Sequence, residues 1–85
     1  MSLYEFYGAE CPHCITMMPI IDKLIAEGIE IKKFEVWHNE TNAETMKKYD
    51  TGLCGGVPFF YNTETKKMIC GEADEKAVRK WAGGK

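Results

Sequence analysis

Cys11-Pro12-His13-Cys14 is the densest group of chemically capable side chains in the chain. Two cysteines separated by two residues, placed where an apolar strand pattern gives way to an apolar helical one, can close a small disulfide ring and reopen it without unfolding anything. A thiol at the start of a helix lies at the positive end of the backbone dipole, which favours the thiolate and lowers a cysteine pKa from about 8.5 into a range of roughly 3.5–7.5. Cys11 is therefore expected to attack and Cys14 to resolve. C-x-x-C is also half of many structural zinc sites. The other half needs a second pair or a Cys/His cluster, and Cys54 and Cys70 stand far apart and isolated in the sequence, so the expectation is redox chemistry with no metal bound.

The neighbours of the pair supply tuning. His13, as a cation beside Cys11, stabilises the thiolate and with it the reduced form, whereas Glu10 brings a negative charge that pushes the other way. Pro12 suits the first turn of a helix, where a missing N–H costs nothing. Glu5 has two readings. It is either an inward carboxyl near Cys14, held protonated by burial and able to pass a proton to the resolving thiol, or an acid that snorkels to the surface. Cys54 and Cys70 have three: they pair with each other, they form a redox-sensing site, or they are small core residues. Cys54, in a glycine-rich loop, is the candidate regulatory thiol of the two.

The positioning elements follow from periodicity. Leu3–Tyr7 is short, aromatic and bounded by Gly8, the pattern of a buried strand that delivers the chain to the cysteines. Met17, Met18, Ile20, Ile21, Leu24 and Ile25 recur at helical spacing after Pro12, and Gly28 ends that helix. Pro19 lies inside it, and a bend is expected there. A second strand spans Ile29–Trp37, but Ile29 and Ile31 alternate in one phase and Phe34 and Val36 in the other, so a bulge or a later start is expected. Strand, helix, strand implies parallel pairing through a right-handed crossover.

Thr41-Asn42-Ala43-Glu44 reads as a capping box for a short helix with Ala43, Met46 and Tyr49 on its apolar stripe. Phe59-Phe60-Tyr61 and Met68-Ile69-Cys70 read as the strands of a hairpin. Asp74 caps a last helix that turns Ala77, Val78 and Trp81 inward and ends at Gly83-Gly84. The tally is βαβαββα over a single domain, residues 1–85.

The 85 residues support one small core, and 45% apolar with 12% aromatic residues is an ordinary globular composition. A net charge of −2 advertises neither a nucleic-acid nor a membrane-surface partner. No apolar run reaches the eighteen or so residues of a membrane span, and the N-terminal residues lack the basic region and apolar core of a signal peptide. A cytoplasmic monomer is expected, with a core that needs no disulfide staples.

Taken together, these residues resemble the thioredoxin superfamily, and the resemblance covers nearly the whole chain. Length and element order are similar to a glutaredoxin. Glu5 in the strand before the first cysteine, Pro19 in the helix and Val57-Pro58 entering the third strand are similar to thioredoxin. Pro-His between the cysteines also resembles the periplasmic oxidant DsbA. The resemblance implies an α/β thioredoxin-like fold, a four-stranded mixed sheet flanked by three helices, with Pro58 cis against the active disulfide and the Val57 backbone pairing with a bound substrate strand.

It implies a dithiol oxidoreductase acting on disulfide-containing protein substrates. The electron donor would be a reductase or glutathione, and no cofactor is required. Two departures stand out: the lysine that glutaredoxins commonly carry before the first cysteine is Gly8 here, and their Gly-Gly and paired acids before the last helix are reduced to Gly71, Glu72 and Asp74. Gly71 and Asp74 remain candidate substrate-binding positions. The alternative, also carried by the resemblance, is an iron–sulfur or metal-binding module using Cys11.

Overall fold

The computed structural model describes residues 2–52 and 54–83. Seven elements follow in the order β1 (Leu3–Tyr7), α1 (Pro12–Ala26), β2 (Ile31–Glu35), α2 (Glu40–Tyr49), β3 (Phe59–Asn62), β4 (Met68–Cys70) and α3 (Glu75–Trp81). The sheet order is β2-β1-β3-β4, with β1–β2 parallel and both other pairings antiparallel. The central strand β1 therefore has neighbours on both sides, and it is the strand that leads into Cys11.

Both faces of the sheet are covered, each by a different chemistry. Leu3, Ile31 and Phe60 pack under α1 and α3 with Met17, Ile21, Leu24, Val78 and Trp81. Phe6, Phe59 and Tyr61 form the opposite face with Tyr4, Phe34, Met46 and Tyr49 around them. Phe6 is fully buried, with Phe34 and Phe59 stacked at 5.2 and 5.9 Å between ring centroids. Burying such a side chain stabilises the fold by about 1.5–3 kcal/mol.

Two covered faces also explain the phase change read in the second strand. Ile31 serves the α1 face and Phe34 and Val36 the α2 face, so no bulge is needed: β2 starts late, at Ile31, and keeps an uninterrupted register from Leu3↔Ile31 to Tyr7↔Glu35.

α1 buries one narrow stripe, Cys14, Met17, Ile21 and Leu24. Met18 and Ile25, expected on that stripe, lie one position round the helix and are 41% and 38% exposed. The helix is unbroken through Pro19, which sits on the exposed side where the carbonyl it leaves without a donor can meet water. Gly28 takes the left-handed conformation just after the helix, at φ +98°.

The N-cap of α2 is Asn39, not Thr41. Its side chain accepts from the Asn42 amide, so the helix begins two residues before the capping box that the sequence suggests. Asp74 caps α3 as expected, but Ala77 is exposed and only Val78 and Trp81 of the three point into the core. Gly83 follows α3 at φ +141°, while Gly84 lies outside the described residues. Buried Asn62 ties this end together: its amide donates to the Trp81 carbonyl at 2.9 Å, and its oxygen accepts from Glu64 and Thr65 in the hairpin turn.

Candidate active site

The chain leaves β1 through Gly8-Ala9-Glu10 and turns tightly, the Cys11 amide donating to the Gly8 carbonyl at 3.1 Å. Cys11 is the N-cap of α1, and Pro12 occupies the first turn. In place of the usual cap oxygen, the Cys11 sulfur accepts from the Cys14 amide at 3.2 Å. Both cysteines are free thiols, and both are buried at 3% and 2% exposure. On its other side the Cys11 Sγ lies 3.8 Å from the Val57 carbonyl. The Val57-Pro58 bond is cis and Pro58 is buried, as the resemblance implies.

Behind Cys14 the sheet supplies an acid. Glu5 is 2% exposed, on the same face of β1 as Leu3, and pairs in register with Lys33 of β2. Burial pushes its carboxyl up to about 7 against the pull of the Lys33 ammonium, which is itself bonded to Asp22 at 2.7 Å. The inward reading of Glu5 is thus the one the fold adopts. A cavity of about 30 Å³ lined by Glu5, Tyr7, Cys14, Met18 and Lys33 lies beside Glu5 and Cys14, enough room for one water molecule. Desolvation, the hydrogen bond to Cys11 and the nearby Glu5 charge push the Cys14 thiol up to about 12. The pair is therefore asymmetric.

The two charged neighbours expected to act on Cys11 each have a partner elsewhere. His13 Nδ1 pairs with the Glu72 carboxylate, joining the start of α1 to the segment before α3. Glu10 accepts from His38 Nε2 at 2.7 and 3.0 Å, and that bond raises the His38 pKa. Gly71 donates to the Pro58 carbonyl at 2.8 Å, and Asp74 accepts from the Ala77 amide. Gly71 thus borders the cis-proline segment, whereas the Asp74 side chain is engaged in capping.

Trp37 and Glu35 complete the site from the end of β2. The Glu35 carboxylate accepts from the amides of Ala9, Trp37 and His38, clipping the end of β2 to the loop before Cys11. The Trp37 indole lies over Gly8 so closely that a Cβ there would stand 2.2 Å from the ring. Gly8 is what this seat requires, which accounts physically for the missing lysine. Trp37 then forms one wall of a groove of about 440 Å³, whose other lining includes Val36, Met46, Gly55, Gly56 and Val57.

Cys54 and Cys70 form a disulfide, with Cα atoms 5.5 Å apart. Of the three fates open to them, pairing is the one observed, so Cys54 is no free regulatory thiol and the expectation of a chain without staples is corrected. Among the described residues, no group of three or more His, Cys, Asp or Glu is arranged to hold a metal ion, and no helix is long and apolar enough to cross a membrane.

A parallel β1–α1–β2 unit joined to an antiparallel β3–β4 hairpin, with paired cysteines at the first helix and a cis proline facing them, is the thioredoxin-like fold. The chain superimposes on the crystal structure of the glutaredoxin (grx-1) from Archaeoglobus fulgidus with a TM-score of 0.69, covering 98% of this chain and 87% of that one at 17% sequence identity. No family model matches the chain, and no curated protein does. The likeness is one of fold.

Proposed function

We propose that the protein is a thiol–disulfide oxidoreductase that cycles Cys11 and Cys14 between dithiol and disulfide. The observation that carries this reading is the asymmetric pair itself: a sulfur at a helix N-terminus with an amide aimed at it, next to a buried thiol backed by an acid. The Cys11 thiolate attacks one sulfur of a substrate disulfide, and the other substrate sulfur leaves as thiolate and takes a proton. Cys14 then attacks the Cys11 sulfur of the mixed disulfide, and the second substrate thiolate departs. Two electrons pass to the substrate, and Cys11–Cys14 is left oxidised.

The second step needs the Cys14 proton removed. Burial raises the Cys14 thiol, so removal of its proton needs an acceptor close by. Glu5, directly or through a water in the small cavity, is the group placed to take it.

Cys11 is only 3% exposed, so a substrate disulfide must be docked onto it rather than met by collision. The Val57 backbone is the docking edge beside it. A wide, largely apolar groove and a Gly8 covered by Trp37 favour protein disulfides as substrates, with a dithiol reductase or glutathione resetting the pair. A metal cluster shared between two copies through Cys11 needs an outward sulfur, and this one faces in.

Trapping tests the reading. Cys14→Ser protein incubated with a disulfide-bonded peptide should accumulate a mixed disulfide at Cys11, seen by mass spectrometry and lost with dithiothreitol. Adducts absent under conditions where the peptide disulfide stays accessible would refute it.

A further inference from the structure

We propose that Cys54–Cys70 is a second redox site, opened by thiols in the native protein, whose state sets the position of the loop bordering Cys11. Its reducibility is independent of the Cys11–Cys14 reading, whereas its effect on docking rests on that reading. The bridge is accessible: Cys70 ends the edge strand β4 and is exposed, and Cys54 is half-buried. Where surrounding thiols keep conditions reducing, such bonds are characteristically transient, catalytic or sensing.

The described part of the segment that the bridge restrains is rich in glycine with open space about it. Gly52 and Gly55 take φ of +93° and +71°, and a Cβ at Gly52, Gly55 or Gly56 would meet nothing within 4 Å. Among the described residues the segment's ties include the bridge, the contact of Cys54 with the aromatic cluster, and hydrogen bonds from the Cys54 and Gly55 amides to the Asp50 carboxylate at 2.9 and 2.8 Å. The same segment walls the groove that runs to Val57, whose carbonyl faces the Cys11 sulfur.

Opening is a balanced exchange. A thiolate of glutathione or of a dithiol protein attacks the sulfur of Cys70, the more exposed residue of the pair, and Cys54 leaves as thiolate and takes a proton. A second thiol attacks the mixed disulfide, releasing Cys70 as a thiol and the reductant as its disulfide. With the bond gone, the groove wall loses its covalent tie to β4, while the hydrogen bonds of the Cys54 and Gly55 amides to Asp50 remain.

The test uses full-length Cys11→Ser/Cys14→Ser protein, so that only this pair can react, titrated with reduced and oxidised glutathione without denaturant. Alkylation and mass spectrometry should show both Cys54 and Cys70 becoming reactive while the far-UV spectrum stays native. Amides of residues 54–57 should exchange hydrogen at least about tenfold faster, with β1 and β2 unchanged. A bond that yields only after denaturation, or one that opens with no change at 54–57, overturns the proposal.

With Cys11 and Cys14 restored, Cys54→Ser/Cys70→Ser protein, checked against Cys54→Ala/Cys70→Ala, should change KM for a peptide disulfide by at least about threefold with kcat nearly constant. An unchanged KM overturns the docking half. Absence of all turnover defeats the Cys11 reading and the docking half with it, leaving the glutathione titration to decide reducibility.

Discussion

Cys11 and Cys14 are free, buried and fixed at the start of a fifteen-residue helix, whereas Cys54 and Cys70 are bonded and carried by a glycine-rich loop and an exposed edge strand. The first pair is held by local geometry: one turn of helix sets its spacing, an amide of the same turn meets its sulfur, and the central strand places an acid behind it. The second pair is held by tertiary structure, since its members lie 16 positions apart and meet where the loop before β3 reaches the end of β4. What the contrast teaches is that the same chemical group serves opposite ends. On the proposed reading the first pair needs a rigid frame so that bond making moves little else, and the second changes its surroundings when it changes state.

The largest effect expected at the first pair is loss of its nucleophile. Cys11→Ser should lower disulfide-exchange turnover by at least about a thousandfold with the fold retained, followed with a fluorogenic peptide disulfide. Residual activity near that of the parent chain would transfer the chemistry to the second pair and break the comparison.

Next comes Glu5. Its folded pKa of about 7 exceeds the ordinary 4.5, so the folded chain binds the extra proton. The associated stability is complete below about pH 4.5, falls as pH rises towards 7 and is gone above it. A shift of that size corresponds to up to about 3 kcal/mol. Denaturant unfolding across this window should show the decline in the parent chain and a flatter profile in Glu5→Gln, with resolution by Cys14 slowed. A parent profile with no slope would place Glu5 outside the buried site.

At the second pair, Cys54→Ser/Cys70→Ser should destabilise the chain by about 2–3 kcal/mol in urea, because the unfolded chain regains the freedom of a sixteen-residue loop. Trapping at Cys11 should persist, which sharpens the claim that the two pairs are separately held. The smallest effect belongs to Gly8→Ala. Its methyl would collide with the Trp37 ring, displacing the indole at a cost of about 1–3 kcal/mol. The Trp37 fluorescence should move, read in a Trp81→Phe background, and an unmoved signal would mean that the ring does not lie over Gly8.

The parts of the site written in neighbouring residues were legible in the sequence. C-x-x-C after a short apolar strand, Pro12 in the first turn and Asp74 as a cap each depend on contacts within a few positions, and the structure places them accordingly. The element order was legible for the same reason. What depends on the path of a loop was not.

The sequence offers Trp37 as a lining aromatic but not its seat over Gly8, which the path of the chain after β2 supplies, and Cys54 and Cys70 look isolated until the loop before β3 meets the end of β4. Asn39 and Thr41 are both good caps by residue type, and the fold uses Asn39, whose side chain accepts from the Asn42 amide. By position in the sequence, His13 and Glu10 stand close to Cys11 and to no other charged partner of the site. Glu72 and His38 come from distant segments, so no spacing rule could foresee those pairings.

The central claim, that Cys11 and Cys14 form a reversible two-electron couple within the folded chain, is tested most directly by redox titration of Cys54→Ser/Cys70→Ser protein against dithiothreitol and glutathione buffers. Differential alkylation and mass spectrometry should show one reversible transition, in which both thiols become protected together on oxidation and reactive together on reduction. Thiols that stay alkylatable in every buffer, or that oxidise one at a time to products a dithiol cannot reverse, would contradict the account.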